Sequence, residues 1–354
     1  MSREPEESLR RILDIFAPAL PASQRKLGLA ALRRELEAHS HPEERRELLE
    51  RLENLGTSWG YQPAHPLASR LLVALTSLLL PPGSLEGLEH ARAARAQASA
   101  GRPVVMVGNH LSYGDVHYLK VLLELAGERD FPLLVMAGPK VYQDPFRKLM
   151  AMAFETLRMA QPPSRASDGA GVNARALAEI THKVMEDSRA YQDRGRILWF
   201  FPEGSRSRSG RMNRFISAAA RYLEAEGTHI YPVGFSGTEN LMGVKGGRIQ
   251  AQKITARIGP ALSLDTLRAG LTGQSGGRLR RALMDRLGFA VARLLPPGLR
   301  GVYGFASPAE PATPAPVETP DPAITGPRAS ALPGQDDLAP ARSWCLTALG
   351  PPLE

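Results

Sequence analysis

Short apolar runs recur through the middle of the chain, and stretches with helical periodicity separate them. The four clearest runs are VVMVGN at 104–109, PLLVMAG at 132–138, RILWFF at 196–201 and HIYPVGF at 229–235. Nearly continuous apolar runs of this length are typical of central strands that helices cover on both faces. A further strand is predicted within 253–262, and a basic amphipathic helix over 278–295. The pattern therefore predicts an α/β fold with a central, mostly parallel sheet flanked by helices.

Charged helices are predicted ahead of this sheet. The segment Ser40-His41-Pro42-Glu43 fits a capping box at a helix start. Leucines at helical spacing lie on both sides of it, at Leu29, Leu32 and Leu36 and at Leu48, Leu49, Leu52 and Leu55. We therefore predict an N-terminal helical extension over 1–62, followed by the main domain over 63–304.

The helix predicted over 66–80 is apolar on nearly every side. Such a helix is either buried in the protein or lies in the surface of a bilayer. Its most apolar part, LLVALTSLLL at 71–80, has ten residues. A spanning helix needs about 20 residues, so no transmembrane segment is predicted.

The end of the chain differs in composition from the rest. Eleven of the 30 prolines fall in the 49 residues from Ala306 onward, among Ala, Thr and Asp. A segment of this composition buries too little apolar surface to fold, so we predict a disordered tail over 305–354.

Positive charge is concentrated ahead of this tail. The chain has 44 Lys and Arg against 36 Asp and Glu, a net charge of +8, and the first 305 residues alone carry +12. A basic body favours an anionic partner: nucleic acid, a membrane surface, a phosphorylated substrate or an acidic carrier protein. The single cysteine, Cys345, excludes a disulfide framework and a cysteine-based zinc site, and the histidines show no metal-ligand spacing. The charged N-terminus is unlike a secretory signal, so we expect a cytoplasmic location.

His110 and Asp115 follow the first apolar run, in the segment NHLSYGD at 109–115. A histidine at the carboxyl end of a strand lies at the rim where α/β folds bind ligands. One tight turn returns Asp115 to the imidazole, where it would fix the tautomer and leave the other ring nitrogen as a base. Taken alone, so short and common a pattern is more often a structural histidine at a turn, with Asp115 at the helix start.

The loop after the third run, FPEGSRSRSG at 201–210, is rich in groups that bind phosphate. Two arginines, hydroxyl side chains and flexible glycines supply guanidinium and amide donors to phosphate oxygens. The alternatives are a solvated basic loop and an Arg-Ser patch that contacts RNA. The lack of interleaved aromatic residues disfavours RNA.

Together the two segments resemble the motifs of the phospholipid-biosynthesis acyltransferase family (PlsC-like), which includes lysophosphatidate and glycerol-3-phosphate acyltransferases. The first block of that family is NH-x4-D and the third is FPEG-[ST]-R-S-R, matched here by NHLSYGD and FPEGSRSRSG. Tyr231-Pro232-Val233 is similar to the fourth block, and Lys140, Pro145-Phe146 and Arg165 are similar to elements of the second. The resemblance covers residues 65–304.

The resemblance implies a role for each matched residue. His110 would take the proton from the acceptor hydroxyl, and Asp115 would orient the imidazole. The other matched residues would bind the glycerol phosphate of the acceptor: Glu203, Gly204, Ser205, Arg206, Arg208, Lys140 and Arg165. The implied reaction transfers a fatty acyl group from acyl-CoA or acyl carrier protein to 1-acylglycerol-3-phosphate, giving phosphatidic acid, with no metal or cofactor.

The resemblance also implies partners and a location. Because substrate and product are lipids, it favours membrane contact for the 66–80 helix and a peripheral, monotopic place on the inner membrane surface. The basic body would suit anionic lipid and equally an acidic acyl carrier protein, with no nucleic-acid partner.

Other functions stay open on the sequence. Glycerol-3-phosphate or another lysolipid could be the acceptor. A non-catalytic membrane-binding protein of the same family is a different class, which the loss of His110 or Asp115 would have indicated. A serine hydrolase is disfavoured because GFSGT at 234–238 lacks the second glycine of a G-x-S-x-G elbow in its place.

Overall fold

The computed structural model describes residues 4–20, 22–79, 83–160, 173–239, 253–305 and 335–352. In these ranges the α-helices are α1 Glu4–Phe16, α2 Arg25–His39, α3 Pro42–Asn54, α4 Pro66–Leu79, α5 Leu88–Ser99, α6 Asp115–Leu125, α7 Pro145–Ala151, α8 Ala174–Gln192, α9 Leu264–Arg268, α10 Gly276–Ala292 and α11 Ala339–Leu349. The strands are β1 Gly60–Gln62, β2 Ser84–Glu86, β3 Val104–Gly108, β4 Leu133–Ala137, β5 Glu155–Arg158, β6 Ile197–Phe200, β7 His229–Ser236, β8 Thr255–Ile258 and β9 Leu262–Ser263.

The described strands join one sheet in the order β1-β5-β4-β6-β3-β7-β8-β2, with β9 beside β7. The four apolar runs of the sequence form its centre, because parallel pairs join β4 to β6, β6 to β3 and β3 to β7. Antiparallel pairing is confined to β1 with β5 and to β8 and β9 with β7. The predicted α/β fold with a central, mostly parallel sheet is confirmed.

Helices cover both faces of the sheet. Successive residues of β3 point to opposite faces, so Val104 and Met106 pack in one hydrophobic cluster while Val105 and Val107 pack in another. The first cluster includes side chains of α4 to α7, and the second includes side chains of α8, α10 and α11. Burial on both faces explains why the central strands read as continuous apolar runs.

The N-terminal helices share a hydrophobic core with the sheet domain. Phe16 of α1 and Leu32 of α2 are fully buried in the same cluster as Met106 of β3. The Phe16 ring also meets the Phe146 ring of α7 edge to face, with centroids 5.7 Å apart. The division of the chain at residue 62 stays a prediction, but the two parts are packed as one body in this core.

The apolar helix predicted over 66–80 is α4, and much of it is buried in the protein. In α4 the side chains of Leu67, Leu71, Leu72 and Leu75 are at most 6% exposed, and α2 packs against the helix. These four leucines are therefore buried in the protein, while the membrane contact expected for this helix stays a prediction. Residues 80–82 lie outside the described residues. Among the helices of the described part, none combines the length and apolarity needed to cross a membrane.

The expectation of a disordered tail is wrong at its far end. Residues 306–334 lie outside the described residues, whereas α11 packs against α10 and buries Cys345 completely. The Arg286 guanidinium of α10 lies over the Trp344 ring at 5.0 Å. Ala341 and Cys345 lie four residues apart, on one buried face of the helix. The prediction used the average composition of the whole proline-rich segment and so overlooked this local helical spacing.

We expect Leu32→Ala to lower the free energy of unfolding by about 2–5 kcal/mol, because the fully buried side chain packs in the shared core. Urea unfolding followed by circular dichroism and by tryptophan fluorescence should give one transition in both proteins. Leu27→Ala, at a 53% exposed position of the same helix, is the matched control and should change stability by less than about 0.5 kcal/mol. A separate, earlier transition for the N-terminal helices would contradict the shared core.

Candidate active site

Two loops meet at the carboxyl edge of the sheet. Because β3 and β6 are parallel neighbours, the segments that follow them, 109–115 and 201–210, lie side by side. His110 joins the two backbones: its N–H donates to Oε1 of Glu203 at 2.8 Å, and its carbonyl accepts from the N–H of Ser207 at 2.8 Å. The structure thus brings together the two segments that the sequence singled out.

The buried carboxylate of Asp115 holds the His110 side chain. Oδ2 of Asp115 lies 3.0 Å from Nδ1 of His110 and accepts the N–H of Leu111 at 2.8 Å, while Oδ1 accepts the N–H and the hydroxyl of Ser112, each at 3.1 Å. A carboxylate with these donors only accepts, so Nδ1 carries the imidazole proton and Nε2 presents a lone pair. The imidazole is 14% exposed, which leaves it open to a substrate at the rim.

Phe201 fixes the plane of the imidazole. The two rings are stacked, with centroids 3.9 Å apart and planes 11° apart. The Phe201 ring in turn packs at 78° to the ring of Trp199, a fully buried side chain of β6. His110 is therefore constrained at one nitrogen by Asp115 and along one face by Phe201, so its free nitrogen points in a defined direction.

Asn109 anchors the start of the same loop. Its side-chain amide donates to the carbonyl of Phe235 at 3.0 Å and accepts the N–H of Phe235 at 2.7 Å. The buried amide thereby continues the pairing of β3 with β7 beyond the end of β3. The position of His110 is set by the sheet itself through this contact.

Glu203 connects the two loops of the site through its side chain. Oε1 of its buried carboxylate accepts the N–H of His110, and Oε2 accepts the N–H and the side-chain amide of Asn213 at 2.8 and 3.0 Å. Burial raises the pKa of Glu203 to about 7, with these donors acting against the rise and the nearby Asp115 adding to it. Both oxygens of Glu203 thus hold the main chain of the site, and its contact with the acceptor stays a prediction.

The rest of the loop turns outward. Gly204 has a φ of +72°, and a side chain there would run into Ile216, so the turn requires glycine. Ser205 and Arg208 are exposed on the loop. The Arg206 guanidinium lies over the ring of Tyr113, 3.8 Å from its centroid, which places one predicted phosphate ligand beside the His110 loop.

The second-block residues are only partly placed. Lys140 lies in the 3₁₀ turn Pro139–Tyr142 directly after β4, and its carbonyl is 3.4 Å from Nη1 of Arg147. Pro145 and Phe146 open α7 behind its cap Asp144. Arg165 lies outside the described residues. Lys140 therefore shares the carboxyl edge of the sheet with His110.

Sequence reasoning missed Tyr113 and Arg147. Tyr113 is one of the variable residues between His110 and Asp115, yet two guanidinium groups lie over its ring, that of Arg206 and that of Arg147 at 4.5 Å. The position of Tyr113 inside the first motif was the one available signal. Nothing in the spacing of Arg147 links it to that motif, because only the fold brings α7 to the loop.

The arrangement combines a base of fixed tautomer with nearby guanidinium groups. Such a site can accept a proton from a hydroxyl group and bind an anion. Over the described ranges, no group of three or more His, Cys, Asp or Glu side chains is placed to hold a metal ion.

Comparison with known proteins finds a family model that matches part of the chain. Residues 85–236 match the family model described as Acyltransferase. The structure is distantly similar to that of the 1-acyl-sn-glycerophosphate (LPA) acyltransferase PlsC from Thermotoga maritima, with 18% sequence identity over 81% of this chain and 93% of that chain and a TM-score of 0.39. A comparison with curated protein sequences gives no match.

We expect the buried Glu203 to make stability depend on pH. Between its ordinary pKa of 4.5 and the raised value of about 7, the folded protein keeps a proton that the unfolded chain has released. The free energy of unfolding should therefore fall as pH rises through this window, by about 3 kcal/mol. Urea unfolding of the wild type and of Glu203→Gln at pH 4.5, 6 and 8 measures this contribution, which the variant should lose.

The matched control is Glu86→Gln, which removes a half-exposed carboxylate and should keep the wild-type pH dependence. An unchanged pH dependence in Glu203→Gln would show that the buried carboxyl is already ionised across this range.

Proposed function

Since residues 85–236 of this chain match the family model described as Acyltransferase, we propose that the protein transfers a fatty acyl group from an acyl thioester to the hydroxyl of a lysophospholipid. The acceptor proposed is 1-acylglycerol-3-phosphate, and the product is phosphatidic acid. The observation that carries this proposal is the His110–Asp115 pair, 3.0 Å apart and beside the arginine-bearing loop of β6.

The proposed chemistry uses one base. Nε2 of His110 accepts the proton of the acceptor hydroxyl as its oxygen attacks the thioester carbonyl, and Asp115 stabilises the imidazolium that forms. The tetrahedral oxyanion then collapses, the carbon–sulfur bond breaks, and the thiolate takes the proton back from His110. The products are an ester and a free thiol. Nothing is oxidised or reduced, so this step calls for no redox cofactor.

The phosphate of the acceptor gives the basic loop its proposed role. A guanidinium group binds phosphate through paired, charge-assisted hydrogen bonds, and Arg206 is held beside the His110 loop by Tyr113. Arg208, exposed on the same loop, and Lys140, after β4, add positive charge at this edge. We propose the same for Arg165, and Ser205 adds a hydroxyl donor.

We also propose that the protein works at a lipid surface as a peripheral protein on the cytoplasmic side. Ile216, 46% exposed, flanks Gly204, and the exposed Arg208 and Arg211 belong to the same loop. Exposed apolar and basic groups together favour contact with anionic lipid. The charge of +12 on the first 305 residues would also suit an acyl carrier protein as donor.

We expect His110→Ala to lower kcat by about 10²–10⁴-fold, because the hydroxyl then loses its base. Thiol release from acyl-CoA and from acyl carrier protein is measured with lysophosphatidate, glycerol-3-phosphate or a phosphate-free lysolipid as acceptor. His182→Ala, at an exposed histidine of α8, is the matched control and should keep wild-type activity.

Release that needs the acceptor and disappears in His110→Ala would support the transferase, and the best acceptor would identify the substrate. Release that ignores the acceptor and survives in His110→Ala would contradict it. The absence of release with every pair, from folded protein, would favour a non-catalytic relative that binds membranes.

We expect Arg206→Ala to raise the KM for the phosphorylated acceptor by about tenfold to a hundredfold, the range for a lost hydrogen bond to a charged group. The KM for the acyl donor should change far less. Steady-state kinetics with each substrate varied in turn makes the comparison, and equal effects on both KM values would count against a phosphate role for Arg206.

A further inference from the structure

One aromatic ring carries two arginines at the rim of the site. The guanidinium carbon of Arg206 is 3.8 Å from the centre of the Tyr113 ring, and that of Arg147 is 4.5 Å from it. The two positive groups are therefore no further apart than the sum of these distances. They come from different elements, since Arg206 follows β6 and Arg147 belongs to α7.

The charge of Arg147 is not balanced by a carboxylate in the described part of the chain. Its side chain makes long hydrogen bonds to neutral oxygens, the Tyr113 hydroxyl at 3.5 Å and the Lys140 carbonyl at 3.4 Å. The nearest acidic residue in sequence, Asp144, uses Oδ1 to cap the helix at the N–H of Arg147. Arg214, by contrast, is paired with the buried carboxylate of Asp285 at 2.6 Å.

Bringing two like charges to one ring costs free energy that the ring face offsets only in part. A ligand with two negative charges removes this cost and can accept hydrogen bonds from both planar groups. A phosphate monoester has that charge on three acceptor oxygens, whereas the oxygens of a phosphate-free glycerolipid are uncharged.

We propose that Arg147 and Arg206, both held by Tyr113, form a two-guanidinium subsite for the phosphate monoester of the acceptor. Arg147 sets the preference for a phosphorylated over a phosphate-free acceptor. Tyr113 lies between His110 and Asp115 in the chain, so the subsite is part of the loop that positions the base. This inference rests on the proposed function and adds to it a residue outside every motif of the sequence.

The kinetic test uses Arg147→Met with two acceptors, lysophosphatidate and monoacylglycerol. The donors are acyl-CoA and the phosphate-free thioester of N-acetylcysteamine, which separates the phosphates of the donor from that of the acceptor. We expect the KM for lysophosphatidate to rise about tenfold to a hundredfold with either donor. The KM for monoacylglycerol should change less than about twofold, because that acceptor makes no such bond.

Two further variants separate charge from packing. Lys148→Met removes the same charge from the next residue of α7, whose ammonium group lies 3.5 Å from the Leu52 carbonyl of α3, and should leave both KM values unchanged. Arg147→Lys keeps the charge and most of the stem, and should recover part of the affinity for lysophosphatidate. If Arg147→Met fails to fold, Arg147→Lys is compared with the wild type in its place.

Two kinetic outcomes would overturn the subsite. An equal rise in KM for both acceptors would show that Arg147 only supports the loop, and a change confined to acyl-CoA would assign it to the donor. Binding gives an independent decision: in a phosphorus NMR titration with glycerol 3-phosphate, Arg147→Met should bind at least about tenfold more weakly than the wild type and Lys148→Met.

These experiments distinguish a failure of the proposed subsite from a failure of the proposed transferase function. Unchanged binding in Arg147→Met, in a wild type that transfers acyl groups, overturns the subsite alone. A wild type that uses no acceptor overturns the transferase, while the titration still decides whether the two arginines bind a phosphate monoester.

Discussion

The interaction on which the site depends is the capture of one loop by two buried carboxylates. Asp115 holds the side chain of His110 and the amides of Leu111 and Ser112, while Glu203 holds the main-chain amide of His110. A buried carboxylate is costly unless donors surround it, so each of these groups is stable only when the loop has this shape. The same hydrogen bonds thus determine both the orientation of the His110 imidazole and the conformation of its loop.

The parallel sheet makes this arrangement possible. The pairing of Val107 with Phe200 places the ends of β3 and β6 level, so that Phe201 can stack on His110 and Glu203 can reach its amide. On the other side of β3, Asn109 ties the loop to β7. A site built from three strands in register inherits the rigidity of the sheet, which is what a base of fixed direction needs.

The sequence predicted those strands and helices that a local pattern of apolar residues determines. The central strands and the amphipathic helix before Pro296 lie where their apolar runs lie, because burial on both faces leaves a continuous hydrophobic signal. Three strands were missed: the three-residue strands β1 and β2 and the charged strand β5. Their sequences show no sustained alternation of apolar and polar residues, and their register is set by pairing with a neighbouring strand. The helix α11 was missed because composition was averaged over a segment rich in proline.

In the candidate site, the pair of His110 and Asp115 was predictable because five residues and one turn determine its geometry. The role of Glu203 was not, since its partner His110 lies 93 residues away and only the pairing of β3 with β6 brings them together. The place of Arg147 was even less predictable from the sequence. Its neighbour Tyr113 lies 34 residues earlier, and no local rule connects a residue of α7 to a loop after β3.

The shared core of the N-terminal helices also bears on how the chain is made. The helices α1 and α3 pack against α7, which begins at Pro145, whereas α3 ends at Asn54. At about 5–20 residues per second, the ribosome needs several seconds to synthesise the segment between them. During that time the faces of α1 and α3 that will meet α7 remain uncovered on the nascent chain. The early part of this protein therefore presents an apolar surface to solvent and to any chaperone before its own partner in the fold exists.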